Sequence, residues 1–289
     1  MNERVCRGLP ADWLNGWLAA VGATVLVDGM RLGWTDEPVP SARLSLPNGS
    51  DPAEAIAQAW PTVDDMDTWP IVDMGSDGGA LPLNPSLDQW RARVSRERGS
   101  DNAWMLSSLF TDLVRDFKTR AWTVDRGDLH PPAPTGRTMH FRLRALAQAP
   151  VDAEAVGSTL DGVGRRVSGQ GLGFDLGRIG SLADATGQTV DPVIEILAFF
   201  GLALFPCRGS GNGAFAQRGS VRDGKKRSIQ WPAWSAALDR WAIDALLDLA
   251  PRSWPPDIRA LGTWQTVSFR SQSTMDPTRG HGSIRVQQT

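Results

Sequence analysis

Apolar residues recur every three to four positions over residues 12–27. Trp13, Trp17, Val21 and Val25 form one stripe, and Leu14 and Leu18 widen it. That spacing predicts a helix with a face to bury, opened by Asp12 as an N-cap acceptor. Gly16, Ala19, Ala20 and Ala23 lie in the same segment and are small enough to let a second backbone come close. Residues 42–46 alternate as a strand does. Asp51 opens a short helix to Trp60, and residues 61–85 are rich in Pro, Gly and Asp and read as a long loop. Asn84-Pro85 starts a helix that runs to Arg98. A second helix is predicted over 101–117 and a strand over 120–124. Residues 127–136 hold three prolines and read as a loop. Over 138–146, Met139, Phe141 and Leu143 alternate with His140, Arg142 and Arg144, which predicts a strand with a basic face.

Residues 152–167 read as a helix weakened by Gly157, Gly162 and Gly164. Asp191-Pro192 then supplies a cap with proline at the first helical position. The run that follows to Leu204 is apolar on most sides, so a buried helix is expected. Phe205-Pro206 ends it, and the glycine-rich, basic residues 208–230 read as a mobile segment. A helix over 238–249 and a strand over 263–270 come next, and the polar stretch from Ser271 reads as a frayed tail. The pattern predicts an α+β fold: mixed helices, short antiparallel strands, and a basic Gly-rich loop or hairpin in the C-terminal part. Either one domain or two parts are expected, 1–150 and 151–289, the second holding the buried helix and the basic segment.

The 289 residues carry a formal charge of −2, which excludes a uniformly basic protein. That total hides segregation. Residues 1–80 hold four arginines against 12 acids, while residues 91–144 net +5, 145–200 net −4 and 201–289 net +6. Such blocks point to a polyanion or a charged partner, unless acids and bases pair across the fold. Lysine occurs only at 118, 225 and 226, so arginine dominates. Guanidinium groups suit phosphate binding and stacking, and a GC-rich genome would give the same excess. The apolar run 13–27 is preceded by Arg4 and Arg7, but it is too short for the roughly 20 apolar residues of a spanning helix. Cys6 and Cys207 build no disulfide framework that would match export. A cytoplasmic protein with no membrane partner is expected.

Little points to catalysis. Residues 219–226 read G-x-x-x-x-G-K-K, but Lys226 stands where a phosphate-binding loop needs Ser or Thr. No G-x-S-x-G occurs. His130, His140 and His281 are too scattered for a metal motif, and the Asp64, Asp65 and Asp67 cluster lies in a loop-like acidic patch. No catalytic residue, metal, cofactor or small-molecule substrate is expected. Arg208, Arg218, Arg222, Lys225, Lys226 and Arg227 stand against the single acid Asp223. These cations would displace counterions from a phosphate backbone, with Phe215, Trp231 and Trp234 available to stack on unpaired bases. A solvated surface hairpin is the other reading.

Two stretches, Gly8-Leu9-Pro10-Ala11-Asp12-Trp13-Leu14-Asn15-Gly16-Trp17 continuing to Gly22, and Asp191-Pro192-Val193-Ile194-Glu195-Ile196-Leu197 continuing to Pro206, are followed respectively by the strand at 43–46 and by the basic segment with Gln230-Trp231-Pro232-Ala233-Trp234. This order resembles large-subunit-like and accessory proteins of type I-G (I-U) CRISPR–Cas effector complexes of GC-rich bacteria. The likeness covers about a third of the chain and rests on apolar and small-residue runs. It implies a non-catalytic subunit of an RNA-guided surveillance complex acting in antiviral defence. Its partners would be CRISPR RNA, target DNA and other CRISPR-associated subunits. The six cations would contact phosphate, with Arg142 and Arg144 as second-tier contacts. A protein–protein adaptor whose basic blocks meet acidic partners, and a hydrolase with a dispersed site, stay open.

Overall fold

The computed structural model describes residues 3–71, 85–116, 118–130, 139–147, 151–168, 189–211, 213–223, 226–270 and 279–286. The first part contains β1 (Glu3–Pro10), α1 (Leu14–Leu26), β2 (Arg31–Trp34), β3 (Ser41–Ser45), α2 (Pro52–Gln58), α3 (Val63–Asp67), α4 (Leu87–Arg96), α5 (Trp104–Leu109), β4 (Phe110–Arg115), β5 (Trp122–Arg126) and α6 (Met139–Ala147). The second contains α7 (Ala153–Leu160), β6 (Val167–Ser168), β7 (Thr189–Val190), α8 (Pro192–Gly201), β8 (Cys207–Gly211), β9 (Ala214–Gln217), β10 (Ser220–Asp223), β11 (Lys226–Pro232), β12 (Leu238–Asp239), α9 (Arg240–Asp248), α10 (Pro256–Arg259), β13 (Thr263–Arg270) and β14 (Arg279–Arg285). Two four-stranded sheets, ordered β1-β3-β2-β12 and β10-β11-β13-β14, are joined by the small pairs β4-β5, β6-β7 and β8-β9. Every one of these pairings is antiparallel. The fold is α+β.

Helices α1 and α8 form the centre. A Cβ at Gly22 would fall 1.8 Å from the Leu197 carbonyl oxygen, and one at Gly201 2.2 Å from that of Leu18. The two backbones therefore touch where each helix carries a glycine, as the small residues of the first helix led one to expect. Asn15 donates from Nδ2 to Oε1 of Glu195 inside this contact, where both side chains are buried. Asp191 caps α8 by accepting from the Val193 and Ile194 backbone N–H groups, and the Thr159 hydroxyl donates to its other oxygen at 2.8 Å. Burial outweighs these bonds and the Arg166 charge, and raises the Asp191 pKa above the usual carboxylate range. One hydrophobic core draws residues from both halves of the chain, from Cys6 to Trp264.

Several local expectations are corrected. The first helix begins at Leu14, with Trp13 at the N-cap position and no side-chain cap, so Asp12 does not play that part. It is preceded by β1, whose alternation was not seen in the sequence. The helix expected over 101–117 ends at Leu109 and passes into β4. Residues 139–147 are helical rather than a strand, so no basic strand face exists there. In both places, a short alternating or periodic run fits either element, and tertiary pairing decided. The stretch after Ser271 is not all tail, since β14 pairs with β13 from Trp264↔Arg285 to Arg270↔Arg279. The loop expected over 61–85 contains α3, opened by a capping box between Thr62 and Asp65; residues 72–84 lie outside the described residues.

Candidate nucleic-acid interface

The described residues of the basic segment are mostly strand. The segment forms the β8–β9 hairpin, then β10 and the start of β11, which replaces the mobile ribbon expected from its glycines. Its anchor is aromatic. Trp231 donates from Nε1 to the Ala11 carbonyl at 2.7 Å, Trp234 to that of Leu32 at 2.9 Å, and Trp17 to that of Pro232 at 2.9 Å. Trp17 meets Trp234 edge-on at 6.2 Å and Phe205 at 5.8 Å. Each indole thus buries its ring and satisfies its one donor. Phe215, Trp231 and Trp234 were candidates for base stacking. All three are buried, the two tryptophans at 0% and 1% exposure, so they pack the core and stack on no ligand.

Arg218 is likewise internal. Its side chain is 5% exposed; it donates to the Leu204 carbonyl at 2.9 Å and pairs with Asp244 and, at 2.6 Å, with Asp248. A guanidinium committed in this way has no donor turned to a phosphate, so Arg218 leaves the set of expected contacts. Arg208 shares Asp248 at 2.5 Å but is half exposed. Burial alone would raise the Asp248 pKa; the Arg208 hydrogen bond and the Arg218 charge outweigh it and hold the carboxyl below the usual range. Arg144 pairs with Asp67 at 3.1 Å, and Arg142 lies in α6 with its side chain outside the described part. Lys225 lies outside the described residues.

What the fold assembles instead is a set of arginine positions on the second sheet. Arg222 stands directly opposite Arg227 in the β10–β11 register, and Arg270 directly opposite Arg279 in the β13–β14 register. Residues opposed in an antiparallel pair share a face, and faces alternate along each strand. Trp231 is opposite Trp264, so positions 222, 227, 229, 231, 264, 266, 268, 270 and 279 share one face. At the root of that face Ile229, Trp231 and Trp264 are buried. At its far end are four arginine positions. The β11–β13 ladder spans only Gln230↔Gln265 to Pro232↔Thr263. Beyond it, the Ile229 N–H donates to the Thr266 hydroxyl at 2.9 Å rather than to a backbone carbonyl. The hairpins β10–β11 and β13–β14 therefore continue outward as two arms, each carrying one opposed arginine pair. Lys226, opposite Asp223, falls on the reverse face. Arg270 and Arg279 were missed in the sequence because the strand that aligns them, β14, read as tail.

No protein-family model matches the chain, and no curated protein matches it.

In the other basic block, two arginines of α4 pair with nearby acids and a third is held by a backbone carbonyl. Arg91 pairs with Asp112 at 3.1 Å, Arg96 with Glu97 at 3.2 Å, and buried Arg93 donates to the Pro70 carbonyl at 2.7 Å. A cavity of about 410 Å³ lies beside them, lined by Trp90, Val94, Leu106, Phe110 and Leu113, with Cys207 in its wall. Burial pushes the Cys207 thiol up to about 12, which keeps it protonated near neutral pH. Among the described residues no group of His, Cys, Asp and Glu is placed to hold a metal, and no helix is long and apolar enough to cross a membrane.

Proposed function

We propose that this protein is a non-catalytic, nucleic-acid-contacting subunit of a type I CRISPR RNA-guided surveillance complex, and that its two arginine arms grip the sugar–phosphate chain of guide RNA or target DNA. The observation that supports nucleic-acid contact is the opposed pairing of Arg222 with Arg227 and of Arg270 with Arg279. Like charges directly opposite on neighbouring strands destabilise a sheet. Cationic positions aligned in this way suit a polyanion, which would offset any such repulsion while releasing its own condensed counterions. Placement in a CRISPR complex rests on the resemblance of the 8–22 and 191–206 stretches. In that setting base pairing reads sequence, and a subunit of this kind holds the backbone.

The test is purification of the tagged chain from cells that also express a CRISPR array, followed by sequencing of the RNA that comes with it. Array-derived RNA of uniform length is the expected result. A chain that emerges free of array RNA, and that fails to join the other subunits when they are co-expressed, would overturn the assignment.

A further inference from the structure

Most of the tryptophan side chains described are turned inward, but two are not. Trp122 on β5 is 44% exposed and Trp241, in the first turn of α9, is 65% exposed; no other aromatic among the described side chains is as open. Each carries an arginine on its ring. Arg115 lies 4.5 Å from the Trp122 centroid, and Arg240 lies 4.2 Å from that of Trp241. The β8–β9 hairpin links the two sites. At its turn, Gly213 accepts a backbone hydrogen bond from Arg115 at 2.9 Å. At its base, Arg208 reaches Asp248 on the helix that bears Trp241.

We infer that Trp122–Arg115 and Trp241–Arg240 are stacking platforms for unpaired bases, so that the nucleic acid taken by this protein is single-stranded. The inference rests on the proposed nucleic-acid contact and narrows its ligand. An exposed indole with a guanidinium over its ring brings a flat π-surface and a cation together at one point on the surface. That is the chemistry that holds a base and its phosphate together, and it is tolerant of sequence because every base has a π-face. Duplex DNA keeps its bases stacked on one another and offers no face to an indole. Arg208, on the hairpin that links the two sites, is half exposed and paired with Asp248.

The experiment measures binding of labelled oligodeoxythymidylate and oligouridylate, of a duplex of equal length and of an abasic strand of equal length. The proteins are wild type, Trp122→Leu, Trp241→Leu, Trp122→Phe and Trp241→Phe, each checked for an unchanged melting temperature. Leucine keeps apolar area and removes the ring; phenylalanine keeps a ring. Each leucine variant is expected to weaken single-strand binding by roughly 10-fold, as stacked bases do on loss of their aromatic partner. The phenylalanine variants are expected to retain most of it, and the abasic strand and the duplex to bind wild type and variants alike. Single-strand binding that is salt-sensitive but unchanged in both leucine variants would overturn the platforms and leave the arginine arms standing. Absence of binding to any of these ligands would overturn both.

Discussion

Arg222 lies directly across from Arg227 in the β10–β11 register, and the same relation holds between Arg270 and Arg279 one hairpin further on. Both pairs sit at the far end of a sheet whose root is held by Trp231 and Trp264. Burial at one end of the face fixes the register at the other, so the core sets which cations are brought together.

Reversing one member of each pair separates stability from binding. Arg227→Glu and Arg279→Glu place an acid at a register position opposite an arginine and should leave the free protein at least as stable as the wild type. Binding to nucleic acid should fall in the same variants. Urea denaturation midpoints read the first effect and fluorescence anisotropy the second. A lower midpoint in both variants would show that the arginines hold the fold together rather than strain it.

Arg218 behaves in the opposite way. Its charge is internal, paired with half-exposed carboxylates of α9. Removing both acids, as in Asp244→Asn with Asp248→Asn, strands a buried guanidinium and should cost about 3 kcal/mol. Arg218→Met leaves the two acids near water and should cost less, about 1–2 kcal/mol. Thermal melts give the order. The salt dependence of nucleic-acid binding should be the same in Arg218→Met as in the wild type.

Two aspartates make stability depend on pH with opposite signs. The Asp248 pKa is lowered in the folded state, so its contribution is present above the unfolded value near 3.9 and is lost as pH falls through the folded value. The Asp191 pKa is raised, so its contribution is full below that unfolded value and is lost as pH rises through the folded one. Melting temperatures followed from neutral pH downwards should fall less steeply in Asp248→Asn than in wild type. In Asp191→Asn, which keeps the cap acceptor, they should fall more steeply. Parallel curves for all three proteins would contradict both assignments.

The α1–α8 contact admits no side chain at its glycines. Gly22→Ala and Gly201→Ala each drive a methyl group into a carbonyl of the facing helix. Each should cost about 3 kcal/mol or more, since backbone must move to relieve the overlap. Gly29→Ala has open space around its Cβ but a φ of +74°, so it should cost only the strain of that conformation, about 1 kcal/mol. Chemical denaturation of the three variants checks the order.

Much of this scaffold was legible in the sequence. The apolar helix beginning Asp191-Pro192, its cap, the small residues that admit a facing backbone and the 263–270 strand all reappear, because burial and capping are local demands on residue type. The candidate site was legible in part. Arg222, Lys226 and Arg227 fall on strands of the second sheet. Arg218, in the same basic run, is an internal ion pair, because the acids that claim it lie 26 and 30 residues later on a helix whose packing no local pattern announces. Arg270 and Arg279 enter the site only through β14, in which Ile284 is the one apolar side chain larger than glycine, so it gives no hydrophobic alternation. Trp231 and Trp234 looked like ligand platforms because Trp in a basic segment has two uses, and only the fold says which ring faces the core.

The most direct measurement is the slope of log Kobs against log salt for a labelled single-stranded RNA, in wild type and in the combined variant Arg222→Gln, Arg227→Gln, Arg270→Gln, Arg279→Gln. Four phosphate contacts, each releasing a counterion, should make the wild-type slope steeper by roughly three units. Equal slopes in two proteins that are both folded would contradict the claim that these arginines meet a phosphate backbone.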